Sequence, residues 1–169
     1  MAVGGDATPA RHGARSAGLI MRIALCAAGR LRLPAPERAL VDDWLVRFDK
    51  TGRPLGLGPC REIEVEDRPG ALLRAVPEGA HLIALDERGQ MLGSTALAER
   101  LRALRADGVR ELAFAIGGAD GHDPALRARA AELLSFGPMV WPHKLARAML
   151  AEQLYRAATI LAGGPYHRA

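Results

Sequence analysis

One stretch limits the possible architectures more than any other. Glu111–Ile116 (ELAFAI) is apolar almost without interruption and stops at the glycine pair Gly117-Gly118. A strand with one wet face alternates polar and apolar residues. One that is apolar throughout is covered on both faces, as in a parallel sheet between two layers of helices. Arg22–Ala28 (RIALCAA) and His81–Leu85 (HLIAL) read as further strands, and Arg61–Val65 (REIEV) alternates as a half-exposed one does. Pro36–Asp49 carries Leu40, Trp44, Leu45 and Phe48 at helical spacing, and Leu72–Val76 fits a short turn or helix. Thr95–Ala106 places Leu97, Leu101 and Leu104 on one helical face, with Ser94 as its N-cap. Asp123 followed by Pro124 starts a helix predicted through Leu134. Met139–Trp141 predicts a brief strand, and a last helix runs from about Lys144 to Leu161 before Gly163-Gly164-Pro165. Strands alternating with helices predict a three-layer α/β parallel sheet.

The length of 169 residues suits one domain, assigned to residues 21–169. Residues 1–20 are rich in Ala, Gly and Arg without periodicity, and are expected to be a disordered leader. That stretch lacks the apolar core of a secretory signal. No apolar run approaches the roughly 20 residues of a spanning helix, so no membrane partner is expected. Cys26 and Cys60 stand far apart without a CxxC or a His pair. That spacing predicts neither a metal site nor a disulfide, and it suits a reducing cytoplasm. Lys and Arg outnumber Asp and Glu by 23 to 19, which accommodates a polyanion without requiring one. With two Trp, two Tyr and three Phe there is no base-stacking platform, so RNA contacts would be Arg to phosphate.

In a parallel sheet, ligands bind beyond the carboxyl ends of the strands. Three such ends matter here: Leu85-Asp86, Ile116-Gly117-Gly118 and Val140-Trp141-Pro142. Gly117 and Gly118 would let a backbone approach a ligand closely, and a plain strand-to-helix turn would use the same pair. Neither a dinucleotide fingerprint nor a phosphate-binding P-loop occurs, so phosphate cradling is not the expected task. The segment Phe136-Gly137-Pro138-Met139-Val140-Trp141-Pro142 is apolar and shaped by two prolines, which fits either a core turn or the wall of an adenosine pocket. His143 opens the last helix as a cap or a base, while His81 and His122 have no acid at diagnostic spacing. The last helix is apolar over a wide face (Ala146, Leu150, Leu154, Ala157, Leu161), as for a core contact or a second subunit. Lys144, Arg147, Arg156 and Arg168 accompany a single Glu152 from that helix onward.

Several blocks resemble the RlmH family of bacterial large-subunit ribosomal-RNA methyltransferases. They are MRIALCAAGR (Met21–Arg30), LIALDERG (Leu82–Gly89), FAIGGADG (Phe114–Gly121), LSFGPMVWPHKLAR (Leu134–Arg147), AEQLYRA (Ala151–Ala157) and PYHR (Pro165–Arg168). The resemblance implies a SPOUT α/β fold with a C-terminal trefoil knot and a homodimer. It also implies transfer of a methyl group from S-adenosyl-L-methionine to N3 of a pseudouridine in 23S rRNA of the assembled ribosome. By the same resemblance the cofactor-binding residues are Leu85, Gly117, Gly118, Gly137, Pro138, Met139, Val140, Trp141 and Pro142. Its catalytic group falls on His143, Tyr166, His167 and Arg168, the tail reaching the partner's pocket. Arg147, Arg156 and Arg168 are the expected RNA-binding cations. The chain departs from the family pattern in a shorter segment after Glu66 and in Gly164 before the PYHR tail. A non-catalytic dimer of the same fold is the alternative, and the intact tail argues against it.

Overall fold

A computed structural model describes residues 19–167. Residues 1–18 of the expected leader, and Arg168 of the tail, lie outside that range. The apolar run at 111–116 becomes an inner strand of a five-stranded parallel sheet. In chain order the strands are β1 (Met21–Ala28), β2 (Leu57–Val65), β3 (His81–Met91), β4 (Glu111–Ile116) and β5 (Glu132–Ser135). They lie side by side as β2-β1-β4-β3-β5. The helices are α1 (Pro36–Gly52), α2 (Ala71–Ala75), α3 (Ser94–Ala106), α4 (Pro124–Arg129) and α5 (His143–Leu161).

Alternation along the inner strands sorts the core into two layers. Met21, Ile23 and Leu25 of β1, with Leu112, Phe114 and Ile116 of β4, pack under α1, α3 and α5 through Phe48, Leu101 and Leu154. Ala24 and Cys26 of β1, with Ala113 and Ala115 of β4, face the other way onto Leu72 of α2 and Leu126 of α4. Small side chains on that second face let two helices of five and six residues cover it. The α/β three-layer expectation holds.

Four local expectations are corrected. The helix opened by Asp123 ends at Arg129, and residues 132–135 leave it to form β5 against β3. The local sequence (AAELLS) tolerates a helix, but β3 offers an unpaired edge, and tertiary pairing overrides propensity. The strand predicted at Met139–Trp141 is a loop, since Pro138 and Pro142 lack amide protons and Gly137 sits at φ +107°. Ser94 is not a cap but the first helical residue, and its hydroxyl donates to Oε1 of Gln153 on α5 at 2.7 Å. Finally, β3 continues past Leu85 to Met91, with its pairing to β5 interrupted between Leu85 and Gln90.

Candidate active site

The carboxyl ends of β4 and β5 and the Leu85–Arg88 stretch within β3 surround a cleft of about 390 Å³. Its floor comes from Leu85, Ile116 and Leu134, one wall from the Gly117–His122 turn, and the other from Phe136–Trp141. Of the expected cofactor residues, Leu85, Gly117, Gly118, Gly137, Met139, Val140 and Trp141 line it. Pro138 and Pro142 stay outside the lining and act by shaping the loop between them.

The glycine turn closes on itself. Gly121 donates its amide to the Gly118 carbonyl at 3.1 Å, and the two residues form an antiparallel bridge. A β-carbon on Gly117 would lie 2.8 Å from the Gly121 carbonyl oxygen, so backbone itself excludes a side chain there. At Gly118 the obstacle is different. A β-carbon would run into the carboxylate of Asp67, which reaches over from the loop after β2.

His122, set aside from sequence, holds the cleft's floor. Its Nε2 lies 2.7 Å from the Leu85 carbonyl. A carbonyl only accepts, so Nε2 carries a proton and donates it to Leu85. The ring's Nδ1 is buried without a partner among the described residues. Burial pushes the His122 pKa below the usual histidine value, the bond to Leu85 opposing it in part. Asp86 follows on the same strand end, and Arg127 lies 3.8 Å from its buried carboxylate. Opposite, Ser135 accepts from the Gly137 amide and donates to the Gly137 carbonyl, both at 3.1 Å. The Trp141 indole donates to the Phe136 carbonyl at 3.4 Å, which folds the loop back toward the cleft.

His143 stands at the mouth. It opens α5, lines the cleft, and rests its Nε2 3.6 Å from where a β-carbon on Gly29 would be. Gly29 itself has φ +84°, so the turn after β1 needs a glycine for its path.

Tyr166 and His167 are not brought to this cleft. The Tyr166 hydroxyl donates to Oε1 of Glu152 at 2.9 Å, and its ring centroid lies 4.8 Å from that of Tyr155. The Arg156 guanidinium covers the other side of the ring at 4.7 Å. This cluster sits on α5 beside a second, more apolar groove lined by Leu40, Trp44, Leu92, Phe136, Leu145 and Met149. His167 keeps a buried Nδ1 with no partner among the described residues.

Arg147, expected to contact RNA, is placed inside the protein. Arg147 is fully buried, and its Nη1 donates to Glu62 and Glu64 at 2.8 and 2.7 Å. Its Nη2 donates to the Gly29 carbonyl at 2.9 Å. Arg156 is likewise engaged, bonded to Glu152 at 2.6 Å while covering Tyr166.

A five-stranded parallel sheet with a cleft walled on one side by a glycine turn sits in a chain that belongs to the SPOUT methyltransferase family. The family model described as a predicted SPOUT methyltransferase matches residues 21–167. Within the class the chain groups with proteins named ribosomal RNA large subunit methyltransferase H. It is 58% identical over 156 residues to the one from Ruegeria pomeroyi, covering 88% of this chain and 99% of that protein. The one from Dinoroseobacter shibae is 59% identical over the same coverage. Among solved structures, a probable methylase family protein from Haemophilus influenzae shares the fold at TM-score 0.51 and 11% identity, over 88% of this chain and 70% of that one.

Proposed function

We propose that the protein methylates N3 of a pseudouridine in 23S rRNA of the assembled ribosome, using S-adenosyl-L-methionine, as a cytoplasmic homodimer. The observation that carries this reading is the cleft itself. Its walls combine the Gly117–Gly121 backbone and the apolar Phe136–Trp141 loop with charged side chains, among them Asp86, Arg88, Asp120 and Arg127, and His143 stands at its mouth.

The residues suit the cofactor's chemistry. Adenosine needs backbone donors and acceptors between apolar faces, which Leu85 and the Gly137–Trp141 loop offer. The cofactor, when bound, supplies an electrophilic methyl group on a sulfonium. Gly117 keeps that wall free of side chains, and His122 fixes the Leu85 carbonyl in direction. The N3 proton must leave as the nitrogen gains its methyl group. His143, or His167 of the partner subunit, takes it. Alignment within the cleft contributes much of the rate.

The dimer is supported by exposed apolar surface. Leu40 and Met91 line the second groove and are 45% and 68% exposed, apolar surface of the kind a partner covers. The tail ends beside that groove rather than in its own cleft, so a partner seated there would receive Tyr166 and His167, with Arg168 after them. The single domain assigned to residues 21–169 is part of this reading.

Methyl transfer from labelled S-adenosyl-L-methionine to ribosomes of a strain lacking the gene tests the proposal. Label in 23S rRNA that disappears with His143→Ala and His167→Ala supports it. Wild-type protein that binds the cofactor and labels no RNA contradicts it.

A further inference from the structure

With Arg147 buried and Arg156 engaged, the cleft needs other cations if a phosphate backbone is to settle beside it. The contact between Gly29 and His143 shows where they are. It brings the turn after β1 against the start of α5, and three basic residues flank it: Arg30, Arg32 and Lys144.

Arg30 is exposed, and neither it nor Lys144 has a carboxylate partner among the described residues. Arg32 does pair with Glu64, but Glu64 is shared. It also accepts from the Leu31 amide at 2.8 Å and from Arg147 at 2.7 Å. Glu62 is met by both Arg147 and Arg38. Arg38 also pairs with Asp42 at 2.6 Å, so three carboxylates meet three guanidinium groups and the cations without a carboxylate beside this cluster are Arg30 and Lys144. The cationic side of this balanced cluster faces outward, because Arg147 is fully buried and Arg38 is 12% exposed, whereas Arg32 is 63% exposed at the side chain. The start of α5 adds to it, since its first turn holds no acidic residue and no side chain caps it.

We infer that the Gly29–Arg32 turn and the first turn of α5 form a docking rim for RNA phosphates next to the target base. Arg30, Arg32 and Lys144 are its contacts. The inference rests on the RNA reading above and gives it a place on the molecule. A buried arginine that satisfies two glutamates from beneath leaves the outer arginine available to a polyanion. Arg147 therefore serves RNA binding from behind the rim and does not touch the RNA.

Ribosomes from a strain lacking the gene provide the test. Methyl-transfer kinetics would be measured across a potassium chloride series for the wild type, Arg30→Gln, Lys144→Gln and the double variant. Arg110→Gln is the control, because Arg110 is exposed just before β4 at the far end of the sheet. Each lost phosphate contact should raise KM several-fold and reduce the slope of log KM against log salt by about 1. Affinity for S-adenosyl-L-methionine and kcat should stay at wild-type values, as should the unfolding midpoint. A double variant whose KM and salt slope match those of Arg110→Gln overturns the rim and leaves the enzyme reading standing. A raised KM with an unchanged salt slope also overturns it, since that is the signature of an uncharged or protein contact. Wild-type protein that methylates no ribosomes removes the reading beneath the rim, and the rim with it.

Discussion

Gly117 and Gly118 stand side by side in the cleft wall and are glycines for different reasons. Backbone blocks a side chain at Gly117, whereas only the Asp67 carboxylate blocks one at Gly118. Gly117→Ala should therefore cost about 1–3 kcal/mol of stability and most cofactor affinity, as overpacking against fixed atoms does. Gly118→Ala should be milder, and pairing it with Asp67→Gly should restore cofactor affinity measured by calorimetry. If the pair is no better than Gly118→Ala alone, the bound cofactor rather than Asp67 sets the requirement. His122 supports a second prediction. Its pKa is lower folded than unfolded, so the unfolded chain binds the proton more readily. Stability is full above about pH 6.5 and falls as pH drops below it. Thermal melts at pH 7.5 and 5.5 should show this loss, and His122→Asn should flatten it. The glycine pair was legible in the sequence as a turn at a strand end. His122 was not, because its role depends on a carbonyl 37 residues away that only the fold brings near.

At the scale of elements, α5 is held by a buried charge. Glu64 is destabilised as an anion by burial, but the Leu31 amide, Arg32 and Arg147 outweigh this and hold its carboxyl below the usual range. Removing the guanidinium would leave Glu62 to Arg38 alone and Glu64 to Arg32 and, at 3.8 Å, Arg38, with the space beneath them empty. Arg147→Met should lower stability by about 3–5 kcal/mol, and adding Glu62→Gln and Glu64→Gln should recover much of it. Urea denaturation of the single and triple variants checks this, and equal losses in both would contradict it. The sequence showed α5 clearly by its apolar periodicity, yet Arg147 read as one more surface cation within it. Nothing local marks an arginine whose partners lie on β2. The strand β5 was hidden for a related reason. Four residues joined to a helix-compatible run become a strand only because β3 has an open edge. Gly89 records that meeting, since a β-carbon there would lie 2.5 Å from the Leu133 carbonyl carbon. Gly89→Ala should loosen β5 and with it the Phe136–Trp141 wall, seen as faster amide exchange across residues 132–141.

At the scale of the whole molecule, the α/β sheet followed from the strand pattern, and two of the three expected strand ends, at Leu85 and Ile116, do meet at the cleft, while the third is β5 and not Met139–Trp141. The tail did not follow from that pattern, because in the proposed homodimer its role depends on a second subunit. Here Tyr166 packs on Glu152 and Arg156 of its own chain, beside the exposed groove and away from the cleft. Within the homodimer reading, Met149→Glu in that groove should yield a folded monomer by light scattering. That monomer should keep part of its cofactor affinity and lose methyl transfer. The central claim is that this cleft methylates ribosomal RNA, and mass analysis of 23S rRNA from a deletion strain tests it most directly. The account predicts loss of a single methyl group on one pseudouridine, restored by the wild-type gene and not by Gly117→Ala. An rRNA mass profile identical with and without the gene would contradict it.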